Sequence, residues 1–328
     1  MEKTVNWGIL GLGAIAHKFA EGLKYVKNAK LYAVGSRDRE KALQFAKKYK
    51  AQKYYGSYEE LASGPEIDII YIATPHTLHC ENTLLCIRNK KSVLCEKPFA
   101  INSGEVKRMI NSAKENNVFL MEALWTRFLP HIKKTLALIN SGNIGEPRIL
   151  SADFGFRADY NPAGRLFNLA LGGGSLLDVG IYPVFLSLLL FGKPDEITAC
   201  ANIGKTGTDE NCGIIFKYND GKMAILYSTL ISYTPISAEI HGSKGTIKIN
   251  PKWFTPTDIM ISEGLKKPEN VKIKHVGNGY NYEAEEATRC LMNKQIESGI
   301  MPLSFSLELI NTLDKIRKAC GIYYPGHD

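Results

Sequence analysis

Two stretches of this 328-residue chain hold ionisable side chains that packing alone does not explain, and a third pairs two histidines. In "LCEKPFA", residues 94–100, Glu96 and Lys97 close the apolar run Ser92–Cys95 and Pro98 follows. Charges seldom end a buried strand unless they are paired or functional. The bland reading is a structural Glu96–Lys97 ion pair. In "GGGSLLDVGIYPV", Asp178 and Tyr182 are spaced to share one helix face. Ser175 and Asp178 also fit a capping box there, and Tyr182 fits a packed aromatic. An ammonium within a few ångströms favours phenolate over phenol, so a lysine and a tyrosine brought together can accept a proton. His76 and His79 form an HxxH beside Cys80. No further ligands stand at a usual spacing, so no metal is expected.

Such groups need a scaffold and a ligand. "GILGLGAIAHKF" holds Gly11-x-Gly13-x-x-Ala16 between an apolar run and a helical stretch. Gly11 permits a tight turn, Gly13 lets the backbone approach a pyrophosphate, and Ala16 lets the helix pack close. Ala14 and Ile15 open the helix whose positive end faces the phosphates. About 20 residues on, an NAD site places an acid against the ribose hydroxyls. Here "AVGSRDREK" puts Ser36 and Arg37 at that spot with Lys41 nearby. A hydroxyl and a guanidinium suit a 2′-phosphate, so NADP is expected ahead of NAD. Asp38 is expected to cap the next helix instead.

The elements that must position these groups follow from the pattern. Val5–Leu10, Leu31–Gly35, Ile67–Thr74, Ser92–Cys95 and Val118–Ala123 read as strands, with helices between them. That alternation predicts a doubly wound parallel sheet of Rossmann type. Thr74, Pro75 and His76, then Glu96 and Lys97, then Glu122 end successive strands, where ligands bind in an open α/β sheet. Beyond Trp125 the texture changes to runs of strands with turns such as "NDG" and "GSKG", interrupted by helices near 175–191, 283–298 and 305–320. The expected fold is α/β: a dinucleotide-binding domain over 1–124 and an α+β domain over 125–328 with an open, mostly antiparallel sheet.

Composition bounds the function. A formal net charge of +8 fits a solvated surface or an anionic small ligand. Lys and Arg form no aromatic-interleaved stripe of the kind that binds nucleic acid. The most apolar run, 181–191, is too short to span a bilayer and contains Pro183. A strand begins almost at once, leaving no room for a signal peptide. The seven cysteines are odd in number and contain no CxxC, as expected of reduced thiols in a cytoplasmic protein.

With "GLGAIAHKF", "SRDREKA", "ATPHTLHCE", "EKPFA", "MEALWTRFLP", "GGGSLLDVGIYPV" and "CLMNKQIESGIMPLSFSLELI" assembled, the chain resembles the glucose–fructose oxidoreductase/inositol dehydrogenase family over essentially its whole length. It is most similar to the dihydrodiol dehydrogenase and NADP-dependent aldose dehydrogenase branch. Many family members carry histidine where this chain has Tyr182. The resemblance implies hydride transfer from a secondary alcohol or hemiacetal of a sugar, cyclic polyol or trans-dihydrodiol to nicotinamide. Tyr182 is then the expected proton acceptor, Lys97 its charge partner and substrate ligand, and Asp178 a positioning group, with His79 the competing acceptor. The resemblance places His76 and His79 beside the nicotinamide, and Trp125 and Arg127 along the cleft. Glu96 is expected to tether the turn or the cofactor, and Arg165 to reach the cofactor or cover the helix. In the family the Lys97–Pro98 bond can be cis. A homodimer paired through the open sheet is expected. A dinucleotide-binding sensor without chemistry and an NAD-dependent glycoside-cleaving enzyme remain the alternatives.

Overall fold

Val5–Leu10 (β1) is buried and apolar because it lies at the centre of a six-stranded parallel sheet of order β3-β2-β1-β4-β5-β6. The computed structural model describes residues 4–264 and 266–328. Residues 1–3, at the head of the stretch expected to leave no room for a leader, lie outside them. The other strands are Ala29–Gly35 (β2), Lys53–Tyr55 (β3), Ile69–Ile72 (β4), Ser92–Glu96 (β5) and Leu120–Ala123 (β6). The strand order reverses between β1 and β4, which is where the crevice of a doubly wound sheet opens.

The covering helices start where local chemistry satisfies their first N–H groups. Ala14–Leu23 (α1) follows Gly13, which supplies no side-chain cap. Arg39–Tyr49 (α2) is capped by Asp38, whose Oδ1 accepts from Lys41 N at 3.0 Å. Asp38 thus faces its own helix. Tyr58–Ala62 (α3) and His79–Arg88 (α4) follow, then Ser103–Asn116 (α5). At α5, Asn102 accepts from Glu105 N while Glu105 accepts from Ile101 N, a reciprocal pair worth about 1 kcal/mol or more.

The chain divides discontinuously. Residues up to Phe128 form one compact unit together with Val276–Leu307; Leu129–His275 and Glu308–Asp328 form the other. The sequence reading placed everything after 124 in the second domain. The physical reason for the return is Tyr280–Met292 (α8), which packs on α1. A Cβ on Gly22 would come within 2.8 Å of Asn278 Oδ1 and 3.0 Å of Tyr280 Cβ, so glycine sets the closeness of the two helices. Helix α8 starts three residues before the expected Glu283.

The second unit holds an eight-stranded sheet, β14-β13-β12-β11-β7-β10-β9-β8. Its strands are Pro147–Gly155 (β7), Glu196–Ile203 (β8), Asp209–Lys217 (β9), Met223–Thr229 (β10), Ala238–Gly242 (β11), Gly245–Ile249 (β12), Ile259–Glu263 (β13) and Glu269–Val271 (β14). Every pairing is antiparallel except β7 with β10. Pro130–Asn140 (α6), Ile181–Phe191 (α7) and Leu303–Cys320 (α9) complete the helices, with a π-helical turn, Leu176–Gly180, leading into α7. With that lead-in, Leu169–Phe191 is long and apolar enough to cross a membrane by length and composition, but 83% of the tested window is buried in the fold. One sheet face is core: Cys212, Ile214, Phe216, Ala224 and Leu226 are buried. The other exposes Ile149, Ile215, Met223, Ile225 and Tyr227. Ile225 pairs directly with Ile215, and Met223 with Ile149.

Charge is unevenly placed along the chain. Residues 4–55 contain eleven Lys and Arg but three Asp and Glu, so the first strand–helix–strand–helix–strand run carries the whole excess of eight. The ammoniums of Lys24 and Lys48 both lie over the Tyr49 ring, at 5.3 and 5.2 Å from its centroid.

Candidate active site

In the first unit, a cleft of about 390 Å³ opens at the carboxyl ends of β1, β2 and β4. It is lined by Gly11, Gly13, Ser36, Arg37, Lys41, Thr74 and Pro75, all expected there, and also by Leu12, Asp38, Tyr58 and Ala73. Gly11 has φ +88°, and a Cβ on it would press to 3.0 Å of the Ala73 carbonyl oxygen. A Cβ on Gly13 would meet nothing within 4 Å. The glycine therefore keeps open the space in front of the uncapped α1 N-terminus, where a pyrophosphate fits. Ser36 Oγ accepts from Asp38 N at 3.1 Å. The exposed Arg37 and Lys41 bring positive charge to the same edge. Ala14 and Ile15 form the first turn of α1.

The strand ends beside this cleft carry the lysine. Glu96 is the last residue of β5, and the Lys97–Pro98 bond is cis. Side chains from three elements hold this turn. Glu96 Oε2 accepts from Lys97 N at 3.1 Å, and Glu122 at the end of β6 accepts from Phe99 N at 3.0 Å. His79 reaches across, with Nδ1 2.7 Å from the Pro98 carbonyl oxygen and Nε2 2.9 Å from that of Thr74. A neutral ring has one N–H to donate, and burial lowers this imidazole to a pKa of about 4 against the pull of the two carbonyls. His79 was expected as a competing proton acceptor. It is fully buried with both nitrogens against backbone, which suits a tether between β4 and the Lys97 turn. His76 lies in the preceding 3₁₀ turn, its ring 5.7 Å from that of His79.

Behind the turn, Glu96 and Glu122 share a buried cluster with Tyr71 and Glu283, the two members that sequence reasoning missed. Tyr71, in the middle of β4, donates its hydroxyl to Glu96 Oε1 and stacks on Phe19, with ring centroids 3.7 Å apart. Glu283 of α8 is wholly buried with no hydrogen-bond partner on either oxygen. Burial, then the nearby Glu96 carboxylate, pushes the Glu283 carboxyl well above the usual carboxylate range. Burial likewise raises Glu122 to about 7. The available signal was Tyr71 itself, since a hydroxyl in a strand buried on both faces needs a partner. Trp125 stacks on Tyr280 at 4.3 Å and 10°, and burial lowers the pKa of the half-buried Arg127.

The second unit holds the other candidates. Asp178 lies in the π turn and Tyr182 at the start of α7; both are buried. The capping box that Ser175 and Asp178 would also fit does not form, since Ser175 is itself helical and its hydroxyl serves another carboxylate. Asp178 instead accepts from Arg165 Nη1 at 2.8 Å. Arg165, expected to reach the cofactor or cover the helix, is thus placed against Asp178. Around Tyr182 stands an aromatic wall: Phe154 at 5.4 Å, Phe254 at 5.3 Å and Trp253 edge-on at 6.5 Å between ring centroids. Trp253 is fixed by its indole N–H to the Asp153 carbonyl at 2.8 Å. These aromatics come from β7 and the loop before β13, and no spacing rule connects them. No group of three or more potential metal ligands occurs among the described residues.

Comparison with known proteins agrees with this fold. Residues 5–124 match the model of an oxidoreductase family with an NAD-binding Rossmann fold, and residues 132–248 match the GFO/IDH/MocA C-terminal domain. The trans-1,2-dihydrobenzene-1,2-diol dehydrogenase of Xenopus tropicalis is 37% identical over 331 residues, covering 98% of this chain and 100% of that protein. Among solved structures, the 3-ketoreductase KijD10 of Actinomadura kijaniata, in complex with NADP and TDP-benzene, superposes with a TM-score of 0.89 at 21% identity over 97% of this chain and 98% of that one. The aldose-aldose oxidoreductase of Caulobacter crescentus, complexed with glycerol, gives 0.87 at 24% identity with the same coverage. At these identities the two structures speak for the fold.

Proposed function

Because the chain belongs to the GFO/IDH/MocA oxidoreductase family, we propose that it is an NADP-preferring dehydrogenase oxidising a secondary alcohol or hemiacetal of a sugar, cyclic polyol or trans-dihydrodiol. The observation that carries this reading is the cleft in which Gly13 leaves an open approach to the α1 N-terminus while Ser36, Arg37 and Lys41 line its edge. That donor set fits a pyrophosphate and a 2′-phosphate. When bound, the nicotinamide supplies a hydride acceptor. The chain supplies the rest: Tyr182 takes the hydroxyl proton, Lys97 bonds the same oxygen and favours the phenolate, and Asp178 orients the substrate. The half-buried Phe254, stacked on Phe154 and backed by the fully buried Trp253, offers an apolar edge for the ring carbons of a diol or pyranose. The tether role of His79 favours Tyr182 over His79 as acceptor.

Two further assignments belong to this reading. The exposed apolar face of β7, β9 and β10 supports a homodimer paired sheet to sheet. The seven unpaired cysteines, five of them buried, support a reducing compartment such as the cytoplasm.

The test is a panel of sugars and diols followed at the nicotinamide absorbance band, with Tyr182→Phe and Lys97→Met as variants. Turnover in the wild type, and its loss in both variants with dinucleotide binding retained, supports the scheme. Near-normal turnover in either variant removes that residue from it. Dinucleotide binding without any turnover supports a sensor, and release of free sugar without net reduction supports the glycoside-cleaving alternative.

A further inference from the structure

We propose that Asp209 is the positioning residue for the Asp178–Tyr182 segment: its buried carboxylate caps the π turn from a distant strand and fixes where the Tyr182 hydroxyl is presented. The proposal rests on the reading of Tyr182 as the proton acceptor.

Asp209 is the first residue of β9 and is fully buried. Its Oδ2 accepts two short bonds from consecutive residues, the Ser175 hydroxyl at 2.7 Å and the Leu176 backbone N–H at 2.7 Å. Ser175 Oγ lies 3.0 Å from Ser228 Oγ of β10, and since Ser175 donates to the carboxylate, Ser228 donates to Ser175. The turn is thereby tied to two adjacent strands. From the other side, the Tyr324 hydroxyl donates to the Gly173 carbonyl at 2.8 Å. Gly174, between these anchors, has φ +127°, and a Cβ there would fall 2.2 Å from Asp209 Oδ1. The fit leaves no room for any other residue at 174.

The chemistry is out of proportion to a simple cap. A serine or asparagine would satisfy one N–H at little cost, whereas a buried carboxylate is costly to desolvate. Burial raises Asp209 to about 7 even with these donors. What the carboxylate provides is a single oxygen that accepts from two consecutive residues, Ser175 and Leu176, three and two positions before Asp178. It also changes what Asp178 is free to do. A local capping box would turn Asp178 back onto its own backbone; with the cap supplied by Asp209, the Asp178 carboxylate meets Arg165 instead. A tyrosine that must meet a hydroxyl within hydrogen-bond reach tolerates little displacement, so loss of this anchor lowers turnover more than binding.

The experiment compares wild type, Asp209→Asn, Asp209→Ala and Gly174→Ala. It reads steady-state kinetics with NADP+ and a turned-over diol or sugar, dinucleotide affinity by fluorescence, and hydrogen exchange of amides 175–183. The expected result is a fall in kcat of about tenfold for Asp209→Asn and more for Asp209→Ala and Gly174→Ala, with dinucleotide affinity within about twofold of wild type. Exchange over 175–183 should quicken by about tenfold or more while the rest of the eight-stranded sheet keeps its protection. A kcat within twofold of wild type in all three variants overturns the proposal. So does faster exchange spread evenly through the second unit, which marks general destabilisation. If the wild type turns over no sugar or diol, the functional reading falls, and the exchange data alone then decide whether Asp209 holds this segment.

Discussion

His79 Nδ1 lies 2.7 Å from the carbonyl oxygen of Pro98, so the turn that follows Lys97 is gripped by a buried ring as well as by its own backbone. Replacing His79 with alanine removes both contacts and leaves the carbonyl that took the ring's single N–H without its donor. The expected outcome is a fall in kcat of about tenfold or more with dinucleotide affinity nearly unchanged. Single-turnover measurements at saturating cofactor check it; an effect confined to cofactor affinity would sink the tether role.

The proposed preference for NADP is tested at Arg37. A guanidinium on a phosphate is worth about 1.5–3 kcal/mol, so Arg37→Ala should weaken NADP binding by roughly ten- to a hundredfold while NAD binding hardly moves. Paired titrations with the two dinucleotides decide this. Equal losses for both would place Arg37 outside the 2′-phosphate pocket.

Gly22 tests the return of α8 to the first unit. With 2.8 Å to Asn278 Oδ1 and 3.0 Å to Tyr280 Cβ, Gly22→Ala forces α1 and α8 apart and should cost about 1–3 kcal/mol. Urea unfolding checks it. An unchanged midpoint would mean the helices yield freely.

Acid should loosen the second unit through His131. Its Nε2 bonds the Trp253 carbonyl at 2.8 Å, Nδ1 has no partner, and burial lowers its pKa from 6.5 to about 4. The unfolded chain therefore takes up this proton first. The stability it contributes is complete above about pH 6.5 and is lost as pH falls toward 4, up to about 3 kcal/mol. Glu122 and Asp209, both raised to about 7, act oppositely and cost stability as pH rises through the carboxylate range. The effect is isolated by comparing wild type with His131→Gln at pH 7 and pH 5. A stability difference that is the same at both pH values counts against it.

Sheet-to-sheet pairing predicts that Ile215→Lys with Ile225→Lys, adjacent in register on the exposed face, yields a folded monomer by sedimentation. A wild type that is already monomeric at working concentration ends the dimer reading.

What was legible in the sequence obeys local rules. The glycine turn, the Asp38 cap and the strand end at Glu96 each depend on a few neighbouring residues and fall where their patterns put them, while β4 stops at Ile72, two residues short of Thr74. The misreadings share one physical cause. Ser175-x-x-Asp178 has the composition of a self-contained cap, but the donors there are met by Asp209, more than thirty residues away. The wall around Tyr182 likewise draws on Phe154, Trp253 and Phe254, which only the folded sheet brings together. Glu283 is legible in the sequence only as the start of a helix; its burial follows from the packing of α8 on α1.

The concentration of the chain's positive excess in residues 4–55 bears on speed rather than affinity. The run that bears the dinucleotide cleft presents eleven cationic side chains against three anionic ones, while the remainder is balanced. A phosphate-rich dinucleotide diffusing nearby meets a one-signed field before it meets the cleft, and such fields raise encounter rates by about tenfold to a thousandfold at low salt. Stopped-flow association of NADPH should therefore slow steeply as ionic strength rises, and Lys24, Lys47 and Lys48 changed to glutamine should flatten that slope while leaving the dissociation rate alone. On this view the first βαβ unit is a funnel as well as a receptacle, and a salt-independent association rate would refute it.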